Sequence, residues 1–200
     1  MIRANQLDRD RACVLVIDLQ EKLLPLIRGH EQIISAATEL LEGLRVFNLP
    51  ILATEQYPKG LGHTHPSILA CIQSTPQSAI HQATILEKAT FSACGHHPVR
   101  EALQTIDRPQ VILTGIETHV CVQQTALDLR TMDYDVFLCA DACGSRGRRD
   151  EETALDRLRH EGVIVTTVES VLFELCNRCD TSSFKAMIEV IKAHPPKDKD

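Results

Sequence analysis

Apolar positions along the chain follow two alternating patterns. "ACVLVIDLQ" (12–20) is a near-continuous aliphatic run, as expected of a strand buried on both faces of a sheet. "HEQIISAATELLEGLRVF" (30–47) instead places Ile33, Ile34, Ala37, Leu40, Leu41 and Leu44 at helical spacing. The alternation continues, with strands predicted at 49–56, 83–88, 109–116, 134–143 and 163–170. Helices are predicted over 97–105, from Thr118 to Met132, over 148–162, and in "ESVLFELC" and "SSFKAMIEVIKA". Residues 57–80 hold several Gly and Pro and read mostly as loop with one short helix, and 193–200 read as a frayed tail. Six short aliphatic strands separated by helices predict one α/β domain over 1–200, a mainly parallel six-stranded sheet covered on both faces. Ligands in such sheets bind beyond the carboxyl ends of the strands, so reactive side chains should close strands.

Composition narrows the function classes. With 44% hydrophobic and 24% charged residues, the 200-residue chain can bury a sizeable core, and at 4% aromatics without Trp that core is aliphatic. The net charge of -6 disfavours nucleic acid as a partner, because phosphate binding needs a basic face. No run reaches membrane-spanning length, and "MIRANQLDRDRA" lacks the apolar stretch of a signal peptide, which makes the cytoplasm the expected location. Eight cysteines in a reducing compartment should be free and mostly buried. Cys176 and Cys179 have CxxC spacing without a second such pair, and Cys139 and Cys143 are four apart, so neither pair argues well for zinc or redox chemistry.

Three strand ends carry chemistry: Asp18 after "VLVID", Lys88 after "TILEK", and Cys121 just past "VILTGI". A capping role for Asp18, a solvated Lys88 and a space-filling Cys121 are the plain alternatives for each alone. Together they supply a base, a cation and a nucleophile. With Thr118 as N-cap accepting the amide of Cys121, the helix start should favour an anion and lower the thiol's pKa, while Val122, Ala126 and Leu129 face inward. His119, two residues before Cys121, does not face it on a helix. His63 and His65 are loop histidines with no acidic cluster beside them, and His96 and His97 mark a turn and a helix start. Gln20, Glu55, Tyr57, Phe91, Thr118 and His119 are candidates for lining a pocket, from their strand-end positions.

"VLVIDLQEKLLP", "ILATEQYPKGLG", "EKATFSA", "TGIETHVCVQQTALDL", "YDVFLCADACGSR" and "VIVTTVESVLFEL" resemble, in order and over nearly the whole chain, the isochorismatase-like cysteine hydrolase family, most of all its isochorismatase-domain-containing subgroup. The resemblance implies a three-layer α/β/α, Rossmann-like fold and a catalytic triad of Asp18, Lys88 and Cys121. It further implies a cis peptide between Ile116 and Glu117, with the amides of Glu117 and Cys121 forming an oxyanion hole. It implies hydrolysis of an amide through an acyl-thioenzyme, and a homo-oligomer. Where family nicotinamidases carry an Asp-x-His metal motif, this chain has Gln56 and Pro58. The Cys itself argues against the vinyl-ether chemistry of isochorismate. The expected protein is therefore a metal-independent hydrolase of a small carboxamide or carbamoyl substrate, without cofactor, nucleic acid or membrane. The alternatives are a catalytically silent binding or scaffold protein, or a thiol redox protein using Cys176 and Cys179.

Overall fold

A computed structural model describes residues 6–74 and 83–195. Strands β1 (Ala12–Ile17), β2 (Ile51–Gln56), β3 (Thr84–Lys88), β4 (Gln110–Ile116), β5 (Asp135–Gly144) and β6 (Ile164–Thr166) form one parallel sheet in the order β3-β2-β1-β4-β5-β6. Helices α1 (His30–Val46), α2 (Pro58–Leu61), α3 (Pro66–Gln73), α4 (His97–Ile106), α5 (Gln123–Thr131), α6 (Arg148–His160), α7 (Val168–Cys176) and α8 (Ser182–Ala193) connect and cover it.

The unbroken aliphatic run of β1 has a direct cause. Ala12, Val14 and Val16 enter a core shared with α1, α3, α7 and α8, while Cys13, Leu15 and Ile17 enter a second core shared with α4, α5 and α6. A strand alternates its side chains, so a central strand between two helical layers needs apolar residues at every position. Chain order runs outward from β1 in one direction and from β4 in the other, so their carboxyl ends mark the switch point at which ligands of such sheets bind. Gly115 makes the close approach there possible. Its φ is +131°, and a Cβ would strike the carbonyl oxygen of Ile17 on β1.

Three sequence expectations are corrected. The strand predicted over 163–170 ends at Thr166, because the Asp141 carboxylate accepts the amide of Val168 (3.0 and 3.1 Å) and starts α7. The segment expected to hold one short helix contains α2 and α3, both opened by proline, and its 75–80 portion lies outside the described residues. The tail expected to fray from 193 is docked at its start, where His194 Nε2 meets Glu42 Oε2 at 3.1 Å; residues 196–200 lie outside the described residues. Among the described residues no helix is long and apolar enough to cross a membrane.

Candidate active site

Asp18 leaves β1 with a φ of 51°, a left-handed conformation that Asp tolerates better than most residues. Its carboxylate is fully buried and accepts the Thr54 hydroxyl of β2 (2.7 Å) and the Lys88 ammonium (2.7 Å). The Lys88 side chain is fully buried too. Its Nζ also donates to Gln56 Oε1 (2.7 Å) and to the carbonyl oxygens of Thr90 and Phe91 (3.1 Å each). A charge so buried persists only when paired and hydrogen-bonded, and every acceptor here comes from the end of β1, the end of β2 or the loop after β3.

Cys121 completes the cluster from β4. The chain does not enter α5 directly: Thr118–Val122 form a π-helical turn, with the Glu117 carbonyl accepting the amides of Val120 (3.0 Å) and Val122 (3.2 Å). The peptide between Ile116 and Glu117 is cis. The thiol is buried beside the pair, close enough for the charges of both Asp18 and Lys88 to act on it. The structure therefore brings together the three residues chosen from strand ends.

It also corrects two details. Thr118 is not an N-cap, because Glu117 holds that position before the π turn and the fully buried Thr118 hydroxyl makes no hydrogen bond among the described residues. The thiol pKa is not lowered. Burial pushes it up, the Asp18 charge adds to the rise, and Lys88 only partly offsets both, leaving it at about 12. Desolvation outweighs the helix-start potential. The residue should therefore rest as a thiol at neutral pH, with the thiolate fraction growing only as pH approaches the raised value. Ultraviolet titration checks this: subtracting Cys121→Ala from wild type should show no thiolate absorbance at pH 7, and its presence there would contradict the burial argument.

The six pocket candidates divide. Tyr57 and Phe91 are the exposed aromatics beside Lys88, 60% and 56% exposed, with the Tyr57 amide donating to the Lys88 carbonyl (3.0 Å). Gln20 and Glu55 belong to the frame. Gln20 donates to the carbonyls of Gln56 (3.0 Å) and Gly62 (2.6 Å) and accepts the Gln56 amide (2.7 Å). Glu55 accepts the Thr64 amide (2.6 Å) and hydroxyl (2.7 Å) and meets His63 Nδ1 at 3.1 Å. His119 points toward β5, its Nδ1 2.9 Å from the buried Ser145 hydroxyl, and Glu117 Oε2 accepts the amide (3.0 Å) and Nε (3.1 Å) of Arg146. His65 caps α3 by accepting the Ser67 amide.

Sequence reading passed over Thr54, and it noticed Gln56 only as a missing metal ligand. Gln56 is the register partner of Lys88 across β2 and β3, and that pairing is the signal that would have found it. Among the described residues no cluster of three or more His, Cys, Asp or Glu is arranged to hold a metal. Of the eight cysteines only Cys179 is exposed.

The geometry has a counterpart among known proteins: residues 12–170 match the model of the Isochorismatase domain. The chain belongs to the isochorismatase family. Isochorismatase domain-containing protein 1 of Salmo salar is 37% identical over 179 residues, 90% of this chain and 60% of the relative, so this chain spans about three fifths of that protein. Isochorismatase domain-containing protein 2 of Danio rerio is 37% identical over 199 residues, 99% of this chain and 95% of the relative. Among solved structures, the MAR1 ribonuclease of Caenorhabditis elegans superposes with a TM-score of 0.85 at 32% identity, covering 98% of this chain and 97% of that one. YcaC of Pseudomonas aeruginosa, solved with hexane-2,5-diol and covalent acrylamide, gives 0.85 at 25% identity over 97% and 96%. The Escherichia coli YcaC gene product, an octameric hydrolase of unknown specificity, gives 0.88 at 24% identity over 98% and 94%, a likeness of fold.

Proposed function

We propose that this family member is a metal-independent cysteine hydrolase of small carboxamide or carbamoyl compounds. The observation that carries the reading is the fully buried Lys88–Asp18 pair, 2.7 Å apart, with both charges acting on the buried Cys121 thiol. Because the thiol rests protonated, attack needs a base at the moment of bond formation. The Asp18 carboxylate takes the S–H proton as the sulfur bonds to the substrate carbonyl carbon. The carbonyl oxygen becomes an oxyanion received by the amides of Glu117 and Cys121. Collapse breaks the C–N bond, and the proton on Asp18 leaves with the amine. Water then attacks the thioester, gives a proton to Asp18, and releases the acid as that proton returns to sulfur. Lys88 holds Asp18 in place and offsets negative charge throughout.

Covalent acrylamide on the YcaC neighbour supports this reading, since it is an electrophile that carries a carboxamide. The ribonuclease name of the C. elegans neighbour is not extended to this chain. Ribonucleolysis needs cations free to meet phosphate, and Lys88 is buried and engaged by four oxygen acceptors. Acrylamide also tests the proposal. In a Cys179→Ser background, which removes the exposed thiol, peptide mass mapping should find the adduct on Cys121, ahead of the other buried cysteines. A preference for any of those would sink the assignment.

A further inference from the structure

We infer that Thr125 is a positioning residue, which locks the turn carrying Cys121 to the loop that holds Lys88. The inference rests on the function proposed above.

Thr125 sits in the first turn of α5 and is fully buried. Its hydroxyl donates to the carbonyl oxygen of Cys121 (2.6 Å) and accepts the amide of Ala93 (2.9 Å). A hydroxyl offers one proton and two lone pairs, so both bonds coexist without competition. A threonine bonding back to the residue four earlier is ordinary in helices. The second bond is what sets Thr125 apart, because it reaches a different segment 32 residues away in sequence.

That segment matters for the cation. Residues 90–93 supply two of the carbonyls that hold the Lys88 ammonium, those of Thr90 and Phe91. Two further bonds shape the loop: Thr90 Oγ1 donates to the Ser92 carbonyl (2.7 Å), and Ser92 Oγ donates to Asp128 on α5 (2.6 Å). One turn of α5 therefore fixes the nucleophile's backbone and the loop behind Lys88 at once. Without the Thr125 hydroxyl, the Ala93 amide loses its acceptor inside the protein, and the loop must move to find another. Such a shift draws the ammonium away from Asp18 and from the thiol, while any substrate contacts elsewhere stay in place.

The test uses the Cys179→Ser parent and four variants: Thr125→Val, Thr125→Ser, Ser92→Ala and Leu129→Ala. Leu129 is a fully buried core residue of the same helix whose side chain makes none of these hydrogen bonds, so it reports the cost of lost packing. Acrylamide adduct formation on Cys121 is followed across pH, alongside melting temperature. Thr125→Val should react about 10- to 100-fold more slowly, the scale of a small misplacement of reacting groups. Its pH profile should move to higher pH, since Lys88 is the group that lowers the thiol's pKa against burial and Asp18. Thr125→Ser keeps the hydroxyl and should restore both rate and profile. Leu129→Ala should lose melting temperature yet keep the parent's profile. With the amide found by screening, Thr125→Val should lower kcat and leave KM close to the parent's. If Thr125→Val does not fold, Ser92→Ala should show a smaller displacement in the same direction.

A parent-like rate and profile in Thr125→Val, or in Ser92→Ala where it stands in, overturns the inference. So does an equal shift in Leu129→Ala. Failure of the functional reading looks different: the parent itself then forms no preferential Cys121 adduct, before any of the four variants is compared.

Discussion

If the proposed mechanism holds, Cys121→Ala should lower kcat for small amides by at least about a thousand-fold. The size follows from what the sulfur does. Asp18 and Lys88 can orient charge, but neither can form the acyl intermediate that splits one difficult substitution into two easier ones. Asp18, bonded to Lys88 and Thr54, can still take a proton from water, but without the sulfur there is no thioester for that water to attack. Cys121→Ser should be almost as severe, because a hydroxyl surrenders its proton to a carboxylate far less readily than a thiol does. The measurement is ammonia release over a panel of small amides, ureas and carbamoyl compounds, with melting curves confirming that the variants fold. Wild type should turn over at least one member of the panel. Turnover that survives in Cys121→Ala would remove the sulfur from the mechanism. Tight binding without product in wild type would favour the silent binding protein.

Much of the fold was legible because the sheet imposes a strict demand on β1, β2 and β4. A strand with helical layers on both sides has no polar face to spend, so "ACVLVI" and "VILTGI" stand out from their surroundings. Asp18 was legible for the same reason, since it breaks an aliphatic run where a buried charge is costly without a partner, whereas Lys88 stood out only as a cation at another strand end. What escaped was decided by contacts between distant residues. The early end of β6 depends on Asp141 reaching Val168, 27 residues further on. The frame around Lys88 depends on Gln56 and on two backbone carbonyls, and a carbonyl leaves no mark in a sequence. The direction of the Cys121 pKa was misread because only the local helix start was visible. Burial by the second core and the charge of Asp18, over a hundred positions earlier, decide it. Thr118 was misread through the same local lens, as a cap for a helix that opens instead with a π turn.

Lys88→Met should be the most destabilising single change in the site, at about 3–5 kcal/mol, the cost of breaking a buried ion pair by removing one partner. Both side chains of the pair are fully buried, so solvent offers no screening to soften the loss. Methionine fills much of the vacated space, but it leaves the Asp18 carboxylate uncompensated, and Gln56 Oε1 and the carbonyls of Thr90 and Phe91 lose their donor. Asp18→Asn breaks the pair from the other side and keeps the hydrogen-bonding shape. It should still cost stability, because the ammonium then lacks its counter-charge. The two changes together remove both charges, so the double variant should be less destabilised than the two single costs added. Urea unfolding of all four proteins, read at the midpoint with the slope held constant, measures that coupling. Additive losses would mean that the two groups do not stabilise each other, and the buried pair could not then be what keeps a charged base ready beside Cys121.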